Sequence, residues 1–473
     1  MLSSVGMIRK ALQNLPEGLD ATYMRILQNV NRKFQNQVAS SLKWLAFSLR
    51  PLTLGELSEI FILDRERTVP FDEDNRLFRP KDVLKYFSGL VNLSSDGHSD
   101  VDSNDPTNAE PKAEIKLAHF SIKEYLVSER IRGSSVALFS VGEIEAHLHI
   151  SASCLVYHLQ ISKIELATIK SVKRYLLWHY AASEWMNHLE KADRGSWPPS
   201  VTSNAVYALL SSTESMLCIA RIWDPFIGRP NWVIEPGKMS SPLHYTASWN
   251  ALGLTELLIE YGAKVDAVNA NKETVLMAAS TKGYKSIAEL LLDRGADINA
   301  QGGKYRNALQ AAAYSGSKET VRLLLERGAD INAQGGRYSN ALQAAIYARS
   351  KEVVRLLVDR GVDVNAQGGA LENALQAAVC SGSKEVVQLL LERGADINAQ
   401  GGRFENALQA AIYLRHREIA ELLVSRGGKR DPPRPDREKP PTDIEQRGPG
   451  DIDVLRRFQE NQDEYLEPES HDI

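Results

Sequence analysis

Cysteine is scarce in this chain: Cys154, Cys218 and Cys380 stand alone among 473 residues. They are odd in number and far apart, which argues against a disulfide scaffold and fits a reducing compartment. A formal net charge of −4 gives no global pull toward nucleic acid or an anionic membrane. Long apolar runs are missing, and none approaches the roughly 18 residues of a membrane helix. Met1 to Lys10 lacks the charged start and apolar core of a signal peptide. The expected address is cytoplasmic, without a membrane. The phosphate-cradling pattern Gly-x-x-x-x-Gly-Lys-Ser/Thr does not occur either. Gly237-Lys238-Met239 and Gly303-Lys304-Tyr305 lack its leading glycine and its hydroxyl residue, so no nucleotide is expected on this chain.

What the sequence does contain is repetition. Asn307-Ala308-Leu309-Gln310 returns at Asn340, Asn373 and Asn406, each time 33 positions later. Gly262, Gly295, Gly328, Gly361, Gly394 and Gly427 keep the same beat, as do Leu243, Leu276, Leu309, Leu342, Leu375 and Leu408. Six units in register predict stacked supersecondary units, each too small to bury its apolar face alone. Within one unit, Asn307 is an N-cap and Ala308 to Tyr314 a short helix that Gly316 breaks. Ser317 caps a second helix, with Glu319 in its first turn and Val321, Leu324 and Leu325 on one apolar face. Gly328 supplies the left-handed residue that ends it. Asp330 to Gly336 is turn chemistry.

Helix, turn, helix and extended loop at this period resembles the ankyrin repeat, over residues 241–428. The opening Ser241-Pro242-Leu243-His244-Tyr245-Thr246-Ala247 is nearest the family pattern; later units carry Asn-Ala-Leu-Gln where the family usually has Thr-Pro-Leu-His. Gln is expected to supply the missing side-chain hydrogen bond. The unit at Asn307 resembles that at Asn373, and Asn340 resembles Asn406, so the copy unit reads as two repeats.

Ahead of the repeats, residues 1–33 read as helix broken at Pro16. Residues 34–130 read as an α+β module. Its helices are Val38–Leu49, a Thr53-capped Leu54–Phe61, and one from Lys81 through Phe87; strands Gly89–Leu93 and Ile115–Phe120 follow. Three helices and a ribbon make a winged-helix arrangement. Residues 131–235 read as a helical connector. Residues 429–473 read as a disordered charged, Pro-rich tail, in which Asp451–Leu466 has the pattern of a transient helix carrying Leu455 and Phe458. The fold class is therefore mostly α: winged-helix module, connector and ankyrin-repeat solenoid.

The phrase from Leu15 through Leu27 resembles the segment after the nucleotide-binding core of fungal NACHT-type proteins. Trp44-Leu45-Ala46, Arg50 to Leu57 and His119 to Leu126 resemble the winged-helix domain of the same proteins, also found beside GPI inositol-deacylase-like sequences. Tyr180 to His188 resembles their connector. These are signal-transduction NTPases with C-terminal repeats. The resemblance implies repeats that sense a ligand, in NLR-like signalling or self/non-self recognition, and a winged helix that relays to or restrains an NTPase. The family places that NTPase upstream of Leu15, so it is expected to be absent here, by natural reduction or by truncation.

Winged helices often bind DNA, and a DNA-associated regulator is the alternative reading. Its wing, Ser94 to Glu114, sets Asp96, Asp100, Asp102, Asp105, Glu110 and Glu114 against Lys112 alone, and phosphates would be repelled. Cys154 and His158 share a helix face near His147 and His149, but with no second cysteine pair they read as packing. His119 and Ser121 read as one face of a strand, and His179 and His188 as core or surface residues. No catalytic, metal or cofactor site is expected.

What remains is surface. The loop tips differ while the frame does not: Lys304-Tyr305-Arg306, Arg337-Tyr338-Ser339, Ala370-Leu371-Glu372, Arg403-Phe404-Glu405. Tyr314, Tyr347, Cys380 and Tyr413 share one position on the first helices. Tyr and Arg anchor protein interfaces. The expected partner site is therefore Tyr305, Arg306, Arg337, Tyr338, Leu371, Arg403 and Phe404 as exposed fingertips, with Tyr314, Tyr347 and Tyr413 beside them. The partner is a protein, and no nucleic acid is expected.

Overall fold

The computed structural model describes residues 17–94, 112–224, 229–368, 373–401 and 404–429. The start of the first predicted helix, most of the acidic wing and the predicted tail beyond Lys429 lie outside them.

Helices α1 (Glu17–Gln28), α2 (Gln35–Phe47) and α3 (Leu54–Ile62) open the chain. The predicted cap on α3 is in place. Thr53 Oγ1 accepts from the Glu56 amide at 3.1 Å, and Glu56 Oε2 accepts from the Thr53 amide at 2.8 Å. This capping box satisfies two end groups that would otherwise lack partners.

The sheet has three strands in the order β1 (Leu52–Thr53), β3 (Glu114–Leu117), β2 (Val91–Ser94), all antiparallel. Ile115 sits opposite both Leu52 and Leu93. Two expectations are corrected here. The predicted helix beginning at Lys81 is a tight 3-10 segment, Pro80–Tyr86. The second strand ends at Leu117, because His119 turns its ring onto the next helix, α4 (Phe120–Val127). His119 Nδ1 accepts from the Ser121 amide at 3.2 Å. The pair His119 and Ser121 is a helix cap, not strand packing.

Short helix α5 (Glu129–Arg132) leads into α6 (Glu143–Ile164), α7 (Ile169–Arg174), α8 (Trp178–Leu189), α9 (Pro199–Val206) and α10 (Thr213–Ile222). The centre of this connector is α6 against α8, with Cys154, Tyr157, His158, Trp178, Trp185 and His188 all removed from water. Its buried histidines are partnered, as burial demands, while the Trp185 indole Nε1 has no hydrogen-bond partner among the described residues. Trp178 Nε1 donates to His158 Nδ1 at 3.1 Å, and His158 Nε2 reaches Ser215 Oγ at 2.9 Å. His147 and His188 meet Nδ1 to Nδ1 at 2.7 Å, and His188 Nε2 meets Tyr180 Oη at 2.8 Å. Glu59 ties the first module to the connector: it takes Arg76 at 2.7 Å, Tyr157 Oη at 2.6 Å and the Leu177 amide at 3.0 Å. Burial raises its carboxyl above the usual range, against the pull of Arg76.

The connector then grips the first repeat. Both Glu190 carboxylate oxygens accept backbone amides at the start of Leu252–Glu260, from Gly253 and Leu254, each at 2.9 Å. An acid at a helix N-terminus is electrostatically favoured. Arg194 pairs with Glu256 and Glu260 of the same helix. Trp197 lies so near Gly253 that a Cβ there would stand 2.9 Å from its ring.

Six helix pairs follow. Inner helices are Pro242–Ser248, Val275–Lys282, Ala308–Ser315, Ala341–Tyr347, Ala374–Cys380 and Ala407–Tyr413. Outer helices are Leu252–Glu260, Lys285–Asp293, Lys318–Glu326, Lys351–Asp359, Lys384–Glu392 and Arg417–Ser425. Like packs on like along the stack. Among the described residues no single helix is long and apolar enough to cross a membrane.

Candidate functional site

The inner face of the stack is built from three recurring devices. The first is the cap. Asn307, Asn340, Asn373 and Asn406 each accept, through Oδ1, the amide three residues on, at 2.8 to 2.9 Å. Asn thus replaces the threonine cap, which survives at Thr274.

The second is the Gln reach. Gln310 Nε2 donates to the carbonyls of Ala333 and Ser339 at 3.1 and 3.4 Å; Gln376 Nε2 donates to Gly401 and Glu405 at 3.1 and 3.3 Å. In unit one His244 Nε2 contacts the Glu273 carbonyl at 2.9 Å. Gln310 and Gln376 therefore bridge one unit to the next loop as His244 does, which is the expected substitution, whereas Gln343 Nε2 is buried without a hydrogen bond among the described residues.

The third is a ladder along the loops. Asn299, Asn332 and Asn365 accept, through Oδ1, the amides of Asp330, Asp363 and Asp396 at 2.9, 2.8 and 2.7 Å. Asn398 does the same for Lys429 at 2.8 Å. Successive fingers touch closely enough that glycine is required. A Cβ on Gly302 would lie 1.8 Å from the Lys272 carbonyl oxygen, and one on Gly336 would lie 2.9 Å from Arg306 Cβ.

On this frame the predicted fingertips fold back. Tyr305, Tyr338 and Phe404 are 9, 3 and 8% exposed. They are not held out to solvent, and this corrects the sequence expectation. Each lies on an aromatic ring at the end of its own inner helix: Tyr305 on Tyr314 at 4.9 Å, Tyr338 on Tyr347 at 4.9 Å, Phe404 on Tyr413 at 5.3 Å between centroids. Tyr314 also stacks on Tyr338 at 5.0 Å, which joins units three and four. Rings of this size release more by leaving water than by waiting in it. Burial, then neighbouring Tyr314, pushes the Tyr305 and Tyr338 hydroxyls well above the usual tyrosine range. In unit five the inner-helix place in the column is filled by buried Cys380.

What stays accessible is the edge of the column and the charges over it. Tyr314, Tyr347 and Tyr413 are half-buried. Lys304 is exposed, with Nζ 5.7 Å from the Tyr305 ring centre, and the Arg337 guanidinium lies 5.9 Å from that of Tyr338. Arg306, half-buried in a left-handed turn (φ 74°), hydrogen-bonds Gln301. Leu371 and Arg403 lie outside the described residues. Of the residues missed by sequence reasoning, Lys304 matters most here; its signal was a cation directly before an aromatic tip. The grip of Glu190, Arg194 and Trp197 was also missed, since it joins positions some sixty residues apart.

Among the described residues no group of three or more His, Cys, Asp or Glu is placed to hold a metal. His158 is held down to about 4 and His188 to about 3, both chiefly by burial. Burial pushes the Cys154 thiol well up, which makes it an inert core group.

The fold and this geometry define an ankyrin-repeat solenoid, and at the level of class its role is protein–protein interaction. The family described as ankyrin repeats (3 copies) matches residues 227–302, 243–335, 300–368 and 368–433. Azaphilone pigments biosynthesis cluster protein L of Monascus ruber is 33% identical over 186 residues, which is 39% of this chain. The match spans only 37% of that relative's length. Two solved structures also resemble the chain, each at 29% identity over 40% of it. The ankyrin repeat domain of Bcl-3, a member of the IkappaB family, has 87% of its length covered with a TM-score of 0.36. The human ASB11 ankyrin repeat domain has 85% covered with a TM-score of 0.37.

Proposed function

We propose that this chain is a non-catalytic recognition protein whose inner repeat face grips a protein partner. One observation carries the reading: Lys304 and Arg337 stand over buried tyrosine rings while Tyr314, Tyr347 and Tyr413 keep part of their rings in water. Half-exposed rings flanked by cations offer apolar area and charge to a partner together. A segment bringing carboxylates to Lys304, Arg306 and Arg337 fits this face. Leu371 and Arg403 extend the same row in sequence. The test compares capture of a defined partner by the wild-type chain with capture by Lys304→Glu/Arg337→Glu and by Tyr347→Ala. Lost capture with retained melting in Lys304→Glu/Arg337→Glu, together with lost capture by Tyr347→Ala well below its lowered melting point, supports the reading; undiminished capture by both variants sinks it.

The module at 34–130 we assign to the winged-helix class, supported by three helical segments woven with a sheet in the order β1, β3, β2. By resemblance to NACHT-type proteins it relays to or restrains an NTPase, in NLR-like signalling. The segment 1–33 leads in, 131–235 connects, and 429–473 forms the tail. This assignment involves no nucleotide, nucleic acid or membrane, and a cytoplasmic setting in which Cys154, Cys218 and Cys380 stay reduced; all three are free thiols. The Monascus relative is named for a pigment biosynthesis cluster; by analogy this chain would stand beside enzymes as a binding partner. A DNA-associated regulator is the competing reading, and a gel shift of the full chain at low salt decides between them: a retarded band would favour DNA.

A further inference from the structure

The stack ends on a face that has not been closed. Ile412 is 45% exposed, while Val379 and Ile346 at the same position of units five and four are 0 and 2%. Val424 is 60% exposed against 6% for its equivalent Val358. Ala420 is partly buried where Val321, Val354 and Val387 are fully covered. A repeat array requires a polar last surface, or something laid over an apolar one.

Charge points the same way. At the start of the outer helices of units four and five a lysine reaches forward to the next unit: Lys351 to Glu385 at 2.6 Å, Lys384 to Glu418 at 2.9 Å. Arg417 holds this place in unit six and, with no next unit, turns onto Glu421 of its own helix at 2.8 Å. Arg415 and Arg426 are exposed nearby. The face therefore offers apolar area rimmed by cations.

The chain itself leads onto it. Lys429 occupies the next rung of the loop ladder, its amide on Asn398 and its carbonyl accepting from Asn406 Nδ2 at 3.2 Å. Beyond lie residues 430–473. Within them Ile452, Leu455 and Phe458 recur three apart, and Asp451, Asp453, Glu460, Asp463 and Glu464 outnumber Arg456 and Arg457. We propose that the segment 451–466 of the same chain covers the end of the stack, its apolar residues on Ile412 and Val424 and its acids toward Arg417. The intervening residues span at most about 70 Å, and a nine-residue helix is only about 14 Å long, so reach is ample. A tether of this length sets an effective concentration near the millimolar range, far above that of a second copy at micromolar protein.

The experiment uses the full chain. A photo-crosslinking residue at Phe458 is expected to capture peptides from 407–425 at monomer mass. Leu455→Asp/Phe458→Asp is expected to speed hydrogen exchange in Ala407–Tyr413 and Arg417–Ser425 by about fivefold or more, leaving units one to four unchanged. Exchange unaffected by that double variant overturns the proposal. So does capture at doubled mass, which would make a second copy the cover, or capture of any region other than 407–425.

Discussion

Replacing Tyr338 by alanine tests whether the fingertip is structural. Its ring is 3% exposed and touches Tyr305, Tyr314 and Tyr347 at centroid distances of 6.1, 5.0 and 4.9 Å. A buried tyrosine removes roughly 150–200 Å² from water, or about 4–5 kcal/mol at ~25 cal/mol per Å². That figure is an upper bound, because the denatured chain already hides part of the ring. Aromatic-to-alanine changes in cores cost about 3–5 kcal/mol, and a loop can collapse into the space better than a helix can. About 3 kcal/mol is expected for Tyr338→Ala. Tyr347 is half-buried, so Tyr347→Ala should cost about half as much on the same area scale. Repeat arrays need not melt in one step, so the assay is hydrogen exchange at residues 335–347, read beside the overall melting curve. Protection there should fall about a hundredfold in Tyr338→Ala and about tenfold in Tyr347→Ala. Equal losses in the two variants would refute the burial argument and restore Tyr338 as an exposed contact.

Three other outcomes are expected. Tyr305 and Tyr338 hold their protons more tightly folded than unfolded, so their contribution is complete below the unfolded value of about 10. It should be lost as pH rises beyond that, and Tyr338→Phe should flatten the alkaline fall seen in urea melts. His158 and His188 are depressed to about 4 and about 3, so their contribution is complete above about 6.5 and is lost as pH drops. The loss at pH 4 is of order 3 kcal/mol for fully buried His158, and exchange in α6 and α8 should rise there before the repeats open. Gly253→Val should drive a side chain into Trp197 at a cost of about 1–3 kcal/mol. It should expose 190–197 and 252–260 to exchange while units three to six hold.

Period and caps gave the repeats away before any coordinates. Asn at the first-helix start of units three to six and glycine at each second-helix end are local requirements that leave a local mark. Strand β1 left none: two residues, Leu52 and Thr53, carry no alternation to detect. His119 was misplaced because a histidine that caps a helix reads, in one dimension, as the last residue of an apolar strand. The fingertips were misjudged for a different reason. Tyr305, Tyr338 and Phe404 sit among loop residues, but each is followed nine positions later by Tyr314, Tyr347 and Tyr413. That spacing was the available clue, and only the finger's return onto its own helix gives it meaning. The contact at Gly253 was invisible because it depends on two distant elements meeting.

The asparagine rungs have a consequence for how such a chain can change. From unit two onward each rung hands its neighbour the same bond in the same place, so those seams are interchangeable. Slippage during copying could delete or insert a pair of units and still leave every remaining seam correctly matched. A protein assembled this way can rewrite its grip by recombining whole cassettes, without renegotiating the scaffold each time.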